Sequence, residues 1–126
     1  MTLLDSWAWL EYFFGGRRGT KVAEYLQNPP IYISPLILAE VFSTLRRRRD
    51  ESTAERCLAF MLAHSTVVPI DEELGIEAGR LHAQRRRSVK GFGMVDAVIL
   101  ATARRKGVRL VTGDDHFAGL SDVDIL

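Results

Sequence analysis

Short apolar runs alternate with longer amphipathic stretches along the whole chain. Residues 2–4 form a brief apolar run that ends at Asp5. Residues 6–14 follow with helical spacing, offering Trp7, Leu10, Phe13 and Phe14 to one face. Gly15 and Gly16 stop this helix. A second short helix is predicted over 20–26, closed by Asn28, Pro29 and Pro30, and a strand over 31–33. Ser34 and Pro35 announce a further helix, Ser as N-cap and Pro at the first helical position. It runs through Leu36, Val41, Phe42 and Leu45 to four consecutive arginines. Asp50, Glu51 and Ser52 break the pattern, and a helix over about 53–63 follows. The β-branched run 66–70 predicts a strand, and 72–87 an amphipathic helix with Leu74, Ala78 and Leu81 on one side. A strongly apolar helix over 94–106 ends at Gly107. Strands over 108–111 and 123–126 complete the chain, with a turn at 112–115.

Strands separated by helices imply parallel pairing through right-handed crossovers. The expected fold is therefore α/β, a three-layer α/β/α sandwich around a parallel sheet of about five strands. A chain of 126 residues suits a single domain over 1–126. In such sheets ligands bind beyond the carboxyl ends of the strands, where the strand order reverses. Residues that directly follow a strand thus become candidates for chemistry.

Four acids stand out by position. Asp5 follows the first strand and Asp114 follows the strand at 108–111. Each alone reads equally well as a turn former or helix cap. Asp96 is the only charged residue between Phe92 and Ala103, among Met94, Val95, Val98, Ile99 and Leu100. A carboxylate in so apolar a segment requires a partner or a metal, unless it serves the first turn of its helix. Glu40 flanks the apolar stripe of the helix opened by Ser34 and Pro35, where an exposed glutamate is also ordinary. Together the four would repel one another across one crevice, and a divalent cation removes that repulsion. With one cysteine, Cys57, and three scattered histidines, His64, His82 and His116, the ligands on offer are oxygens. Oxygen ligands suit Mg²⁺ or Mn²⁺ rather than Zn²⁺. A hard cation on carboxylates is suited to hydrolysing phosphodiesters.

Composition narrows the setting. Apolar residues make up 47% and charged residues 26%, which excludes an intrinsically disordered chain. No run approaches the roughly 18 apolar residues of a membrane span. The start of the chain lacks a basic segment and carries Asp5, and Cys57 has no internal disulfide partner, so a cytoplasmic location is expected. Net charge is only +1, yet twelve of the 17 basic residues fall into three clusters. These are the arginines at 46–49, then Arg85, Arg86, Arg87 and Lys90, then Arg104, Arg105, Lys106 and Arg109. They read either as solvated helix ends or as contacts for a polyanion.

The runs LLDSWAWLEYF, ISPLILAEV and MVDAVILATARRKGVRLVTGDDHF resemble the signature blocks of PIN domains, and among them the VapC-type toxin ribonucleases. The resemblance spans essentially the whole chain. It implies a five-stranded parallel α/β/α fold and Mg²⁺- or Mn²⁺-dependent cleavage of RNA. It matches Asp5, Glu40 and Asp96 to the three core acids and Asp114 to the fourth, with Asp5, Asp96 and Asp114 as metal ligands. Ser6, Thr112 and Asp115 take supporting positions. In many relatives another acid stands two positions beyond the one matched by Asp114; here that residue is His116. With an RNA substrate, Arg85, Arg86, Arg87 and Lys90 become the expected backbone contacts. The resemblance also implies a homodimer and a VapB-type antitoxin as partner. Trp7, Trp9, Tyr12, Phe13 and Phe14, crowded into eight residues, are the expected partner-facing surface.

Rival readings are weaker or open. A phosphoacceptor receiver domain would want an adjacent acidic pair after the first strand and a lysine after the last, and a haloacid-dehalogenase-type phosphatase would want an acid at Trp7. A non-catalytic PIN-like module binding protein or RNA shares the fold. The completeness of the acidic set favours an enzyme over that module.

Overall fold

The computed structural model describes residues 1–126. The chain runs β1 (Thr2–Leu4), α1 (Ser6–Phe13), α2 (Gly19–Leu26), β2 (Ile31–Ile33), α3 (Pro35–Arg48), α4 (Glu51–His64) and β3 (Thr66–Val67). It continues with α5 (Glu72–Arg85), α6 (Met94–Lys106), β4 (Arg109–Thr112), a single 3₁₀ turn (Asp115–Phe117) and β5 (Val123–Ile125). All strand pairs are parallel and the sheet order is β3-β2-β1-β4-β5. The architecture is the three-layer α/β/α sandwich that the alternation of elements predicts, with six helices flanking five strands. No helix is long and apolar enough to cross a membrane.

One core of 26 buried apolar residues lies around the sheet. Leu3 and Leu4 of β1, the central strand, are fully buried, as are Ile33 of β2 and Leu110 and Val111 of β4. Strands covered on both faces read as continuous apolar runs rather than as alternation, which is why Leu3 with Leu4 and Leu110 with Val111 stand as consecutive buried apolar pairs. α6 buries every residue from Ala97 to Thr102 and also Ala103, so small and branched side chains fill its whole circumference there. Gly107, at φ +64°, ends it in the left-handed conformation that favours glycine.

Most boundaries lie where capping chemistry puts them. Asp5, Ser34, Asp50 and Asp71 each accept a backbone N–H from the first turn of the following helix. Two expectations shift. Asp50 is not part of a break: it caps α4, which therefore begins at Glu51. The strand expected over 66–70 pairs only at Thr66 and Val67, because β3 is the sheet edge and its two residues are exposed.

The order places a switch point beside β1. The chain moves from β1 to β2 and β3 on one side, then returns to β4 on the other. The crevice beyond the carboxyl ends of β1 and β4 is where ligands bind in such sheets.

Candidate active site

Parallel pairing sets Leu4 opposite Val111, and the Asp5 N–H donates to the Val111 carbonyl at 3.1 Å. The residues that end these strands, Asp5 and Thr112, thereby meet across the switch point. Asp5 is 5% exposed. Its Oδ1 accepts the Ala8 N–H at 3.0 Å, and its Oδ2 accepts the Thr112 hydroxyl. Thr112 Oγ1 in turn accepts the Asp114 N–H at 2.9 Å. One hydroxyl thus ties the buried acid to the turn that carries the next one.

The other acids arrive from separate elements. Glu40 comes from the second turn of α3, where it is exposed, and its Oε1 accepts the Ser6 hydroxyl at 3.0 Å. Asp96 sits in the first turn of α6, and its Oδ2 accepts the Gly93 N–H at 2.9 Å. Asp114 precedes the 3₁₀ turn, and its Oδ1 accepts the His116 N–H at 2.9 Å. Glu40, Asp96 and Asp114 each use one oxygen in a local hydrogen bond, and the second has no protein partner. The cap and the site are therefore not alternatives: the local bond fixes each carboxylate and leaves an oxygen available.

Asp5, Ser6, Trp7, Glu40, Asp96, Ile99, Gly113, Asp114 and Asp115 line a single cleft of about 460 Å³. All four acids singled out in the sequence are thus brought together, with Ser6, Thr112 and Asp115 in or beside the same cleft. Burial pushes the Asp5 carboxyl up to about 7; the Thr112 and Ala8 bonds oppose this, while the charges of Asp114 and Glu40 add to it. An acid group held near neutrality by burial and by like charges has the character of a functional site. The donor set fits a hard divalent cation, since carboxylate oxygens with free lone pairs converge and no thiolate is near. Asp5, Asp96 and Asp114 are the residues that would hold it.

Sequence reasoning noted His116 where relatives often carry an acid but did not count it among the site residues. Its Nδ1 lies 3.5 Å from Asp96 Oδ2 and 3.4 Å from Asp114 Oδ1. Its place two residues after Asp114 read only as the loss of an acid, because as one of three scattered histidines it suggested no ligand.

Two expectations need correction. Arg85, expected at the RNA backbone, is engaged within the protein: its guanidinium donates to the His116 carbonyl at 2.8 and 3.2 Å and to the Ala118 carbonyl at 2.9 Å, over the Phe92 ring. Two backbone carbonyls at the end of the site turn have no nearer donor, and a planar fork suits them both. Trp9 is fully buried, stacked on Phe13 and edge-on to Phe60, because α1 turns this position toward the core. Trp7, Tyr12, Phe13 and Phe14 remain half-buried at the surface.

The basic clusters separate by their partners. Arg104, Arg105 and Arg109 pair with Asp122, Asp71 and Asp124. Arg46 pairs with Glu51, and Arg48 and Arg49 lie over Phe14. Arg86, Arg87 and Lys90 are exposed and make no ion pair.

Gly113 shapes the cleft. A methyl group on it would overlap the Trp7 indole. Gly113→Ala is expected to destabilise the fold by about 1–3 kcal/mol in urea unfolding. Gly75→Ala, where α5 leaves open space, is expected to stabilise it by up to about 1 kcal/mol.

Residues 2–123 match the model of the PIN domain family. No curated protein matches the chain by sequence. Among solved structures it resembles the VapC20 toxin of Mycobacterium tuberculosis, a sarcin–ricin loop cleaving toxin, at 22% identity and TM-score 0.75, covering 98% of each chain. It also resembles a chain of a toxin–antitoxin complex from Klebsiella pneumoniae at 24% identity and TM-score 0.74, covering 98% of this chain and 96% of that one. A third likeness is to DNA-bound VapBC from Salmonella typhimurium, at 17% identity and TM-score 0.79, covering 99% and 96%.

Proposed function

The chain belongs to the PIN domain family, and on that premise we propose that it is a divalent-metal-dependent endoribonuclease, the VapC-type toxin of a toxin–antitoxin pair. The observation that carries this reading is the gathering of Asp5, Glu40, Asp96 and Asp114 in one cleft at the β1–β4 switch point. The likeness to VapC20 and to toxin–antitoxin complexes supports the substrate class and the partner.

When bound, Mg²⁺ or Mn²⁺ neutralises the acids, activates water at neutral pH and stabilises charge on the phosphoryl oxygens. The protein's own part is positional. Thr112 fixes Asp5 and the Asp114 turn against each other, and Ser6 fixes Glu40. The free Oε2 of Glu40 can accept the proton of the attacking water. Water adds to phosphorus in line, the P–O3′ bond breaks, and the 3′-oxygen takes up a proton from solvent as Glu40 returns its own to solvent. The products are a 5′-phosphate and a 3′-hydroxyl. No histidine lines the cleft and only His116 stands beside it, so no histidine pair is at hand to activate a ribose 2′-hydroxyl. Mapping of product ends tests this: persistent 2′,3′-cyclic phosphates formed in EDTA would refute it.

Arg86, Arg87 and Lys90 are the proposed phosphate contacts, because they alone in their cluster are free of protein partners. Arg85 instead holds the site turn. Arg85→Ala should lower turnover about 10-fold or more, as loss of an outer-shell partner does, and leave the salt dependence of RNA binding unchanged. Neutralising Arg86 or Arg87 should reduce the magnitude of that salt slope by about one for each phosphate that is no longer neutralised.

The proposed partner is a VapB-type antitoxin lying on the half-buried aromatics Trp7, Tyr12 and Phe13 of a homodimer, with an arginine or lysine reaching the acids. Co-expression with its cognate VapB-type antitoxin should silence the ribonuclease. Unchanged activity would remove the toxin assignment and leave the nuclease assignment standing.

A further inference from the structure

His116 stands where the family pattern often places an acid, and its Nδ1 faces two of the acids gathered at the site. Nδ1 is buried and forms no hydrogen bond, although the side chain as a whole is 37% exposed. It faces Asp96 Oδ2 at 3.5 Å and Asp114 Oδ1 at 3.4 Å and makes a hydrogen bond to neither. A ring nitrogen turned toward two carboxylate oxygens marks a place for positive charge, and a divalent cation reaching all three groups would supply it. Donor atoms from Asp96, Asp114 and His116 all lie within 4.8 Å of one another, so one ion can reach all three.

The ring is held in that position. Its backbone is fixed on both sides: the His116 main-chain N–H donates to Asp114 Oδ1, and the main-chain carbonyl accepts two bonds from Arg85. Across the ring, Gly91 at φ +86° packs against Nε2, where a Cβ would stand 3.0 Å away.

We propose that His116 supplies a nitrogen ligand to the cation site, so that the site selects Mn²⁺ over Mg²⁺. This rests on the metal-dependent reading above and deepens it. Mg²⁺ demands oxygen ligands, whereas imidazole suits transition metals, so replacing an acid by histidine weakens the hold on Mg²⁺ and keeps that on Mn²⁺.

The test is binding and spectroscopy on the full chain, without RNA. Calorimetric titration with MnCl₂ and with MgCl₂ should give tighter Mn²⁺ binding by about tenfold, the low end of what a ligand-shell change is worth. Electron spin-echo modulation of the Mn²⁺-loaded protein should show imidazole ¹⁴N coupling. His116→Gln should lose that coupling and His116→Asp should bring the two affinities together, both variants melting cooperatively. Absence of ¹⁴N coupling in a wild type that binds Mn²⁺, and whose Asp96→Asn variant does not, would overturn the role of His116 alone. Failure of the wild type to bind either ion would overturn the metal reading with it.

Discussion

Asp5→Asn is expected to lose RNA cleavage by more than 100-fold and, without metal at pH 8, to melt at a higher temperature than the wild type. Outer-shell partners of a metal are worth 10–100-fold, so a ligand should be worth more. The stability effect has the opposite sign because the ionised acid is buried at a cost. Burial pushes Asp5 up to about 7. The folded chain therefore holds the proton more tightly than the unfolded chain does. That contribution is fully present below about pH 4 and is lost as the pH rises through about 7. It amounts to at most roughly 4 kcal/mol, at about 1.4 kcal/mol per pH unit. Asparagine keeps the acceptor for Ala8 N–H and carries no charge. The two melting temperatures should converge near pH 4 and separate by several degrees at pH 8. Addition of Mn²⁺ should reverse the order, because only the wild type gains from binding. A wild type more stable than Asp5→Asn at pH 8 without metal would contradict this account of the site.

Trp9→Ala is expected to cost about 3–5 kcal/mol, the largest single loss of stability. Trp9 has no solvent exposure and stacks on Phe13, with ring centroids 5.8 Å apart. Domains of this size have only about 5–15 kcal/mol in total, so the variant should be marginal at 37 °C. Its Nε1 has no hydrogen-bond partner. Trp9→Phe keeps most of the ring and removes that unpaired donor, so it should cost less than half as much in urea unfolding. Any loss of antitoxin binding in Trp9→Ala would then reflect unfolding of α1 rather than a missing contact.

The α/β/α sandwich was legible because its signals are local. The three-residue apolar strands, Ser34 with Pro35, and Gly107 each act within one turn, and the chain obeys them. Element ends were less so. Whether Asp50 breaks or caps a helix depends on which N–H it meets, and the Thr53 N–H decides it. The extent of β3 depends on its having a neighbour on one side only.

The acids were legible for a related reason. Asp5 and Asp114 follow strands, and Asp96 stands alone in an apolar segment. Glu40 was the least visible from periodicity and needed the family pattern. What the sequence hid was tertiary. Nothing local distinguishes Arg85 from Arg86, yet one lies under the loop at 116–118 and the other faces solvent. His116 likewise gains meaning only when α6 brings Asp96 to within 3.5 Å of it. The aromatic set of α1 divides by helix face, and the turn of α1 into the core selects Trp9 over Trp7.

The measurement that bears most directly on the central claim is digestion of a total RNA pool by the purified wild type and by Asp96→Asn, each with Mn²⁺ and with excess EDTA. Asparagine preserves the acceptor for the Gly93 N–H, so the start of α6 should stay intact and circular dichroism should match the wild type. The account predicts cleavage by the wild type with Mn²⁺, leaving 5′-phosphate ends, and none in EDTA or with Asp96→Asn. Wild-type turnover in EDTA, or in a folded Asp96→Asn protein, would contradict it.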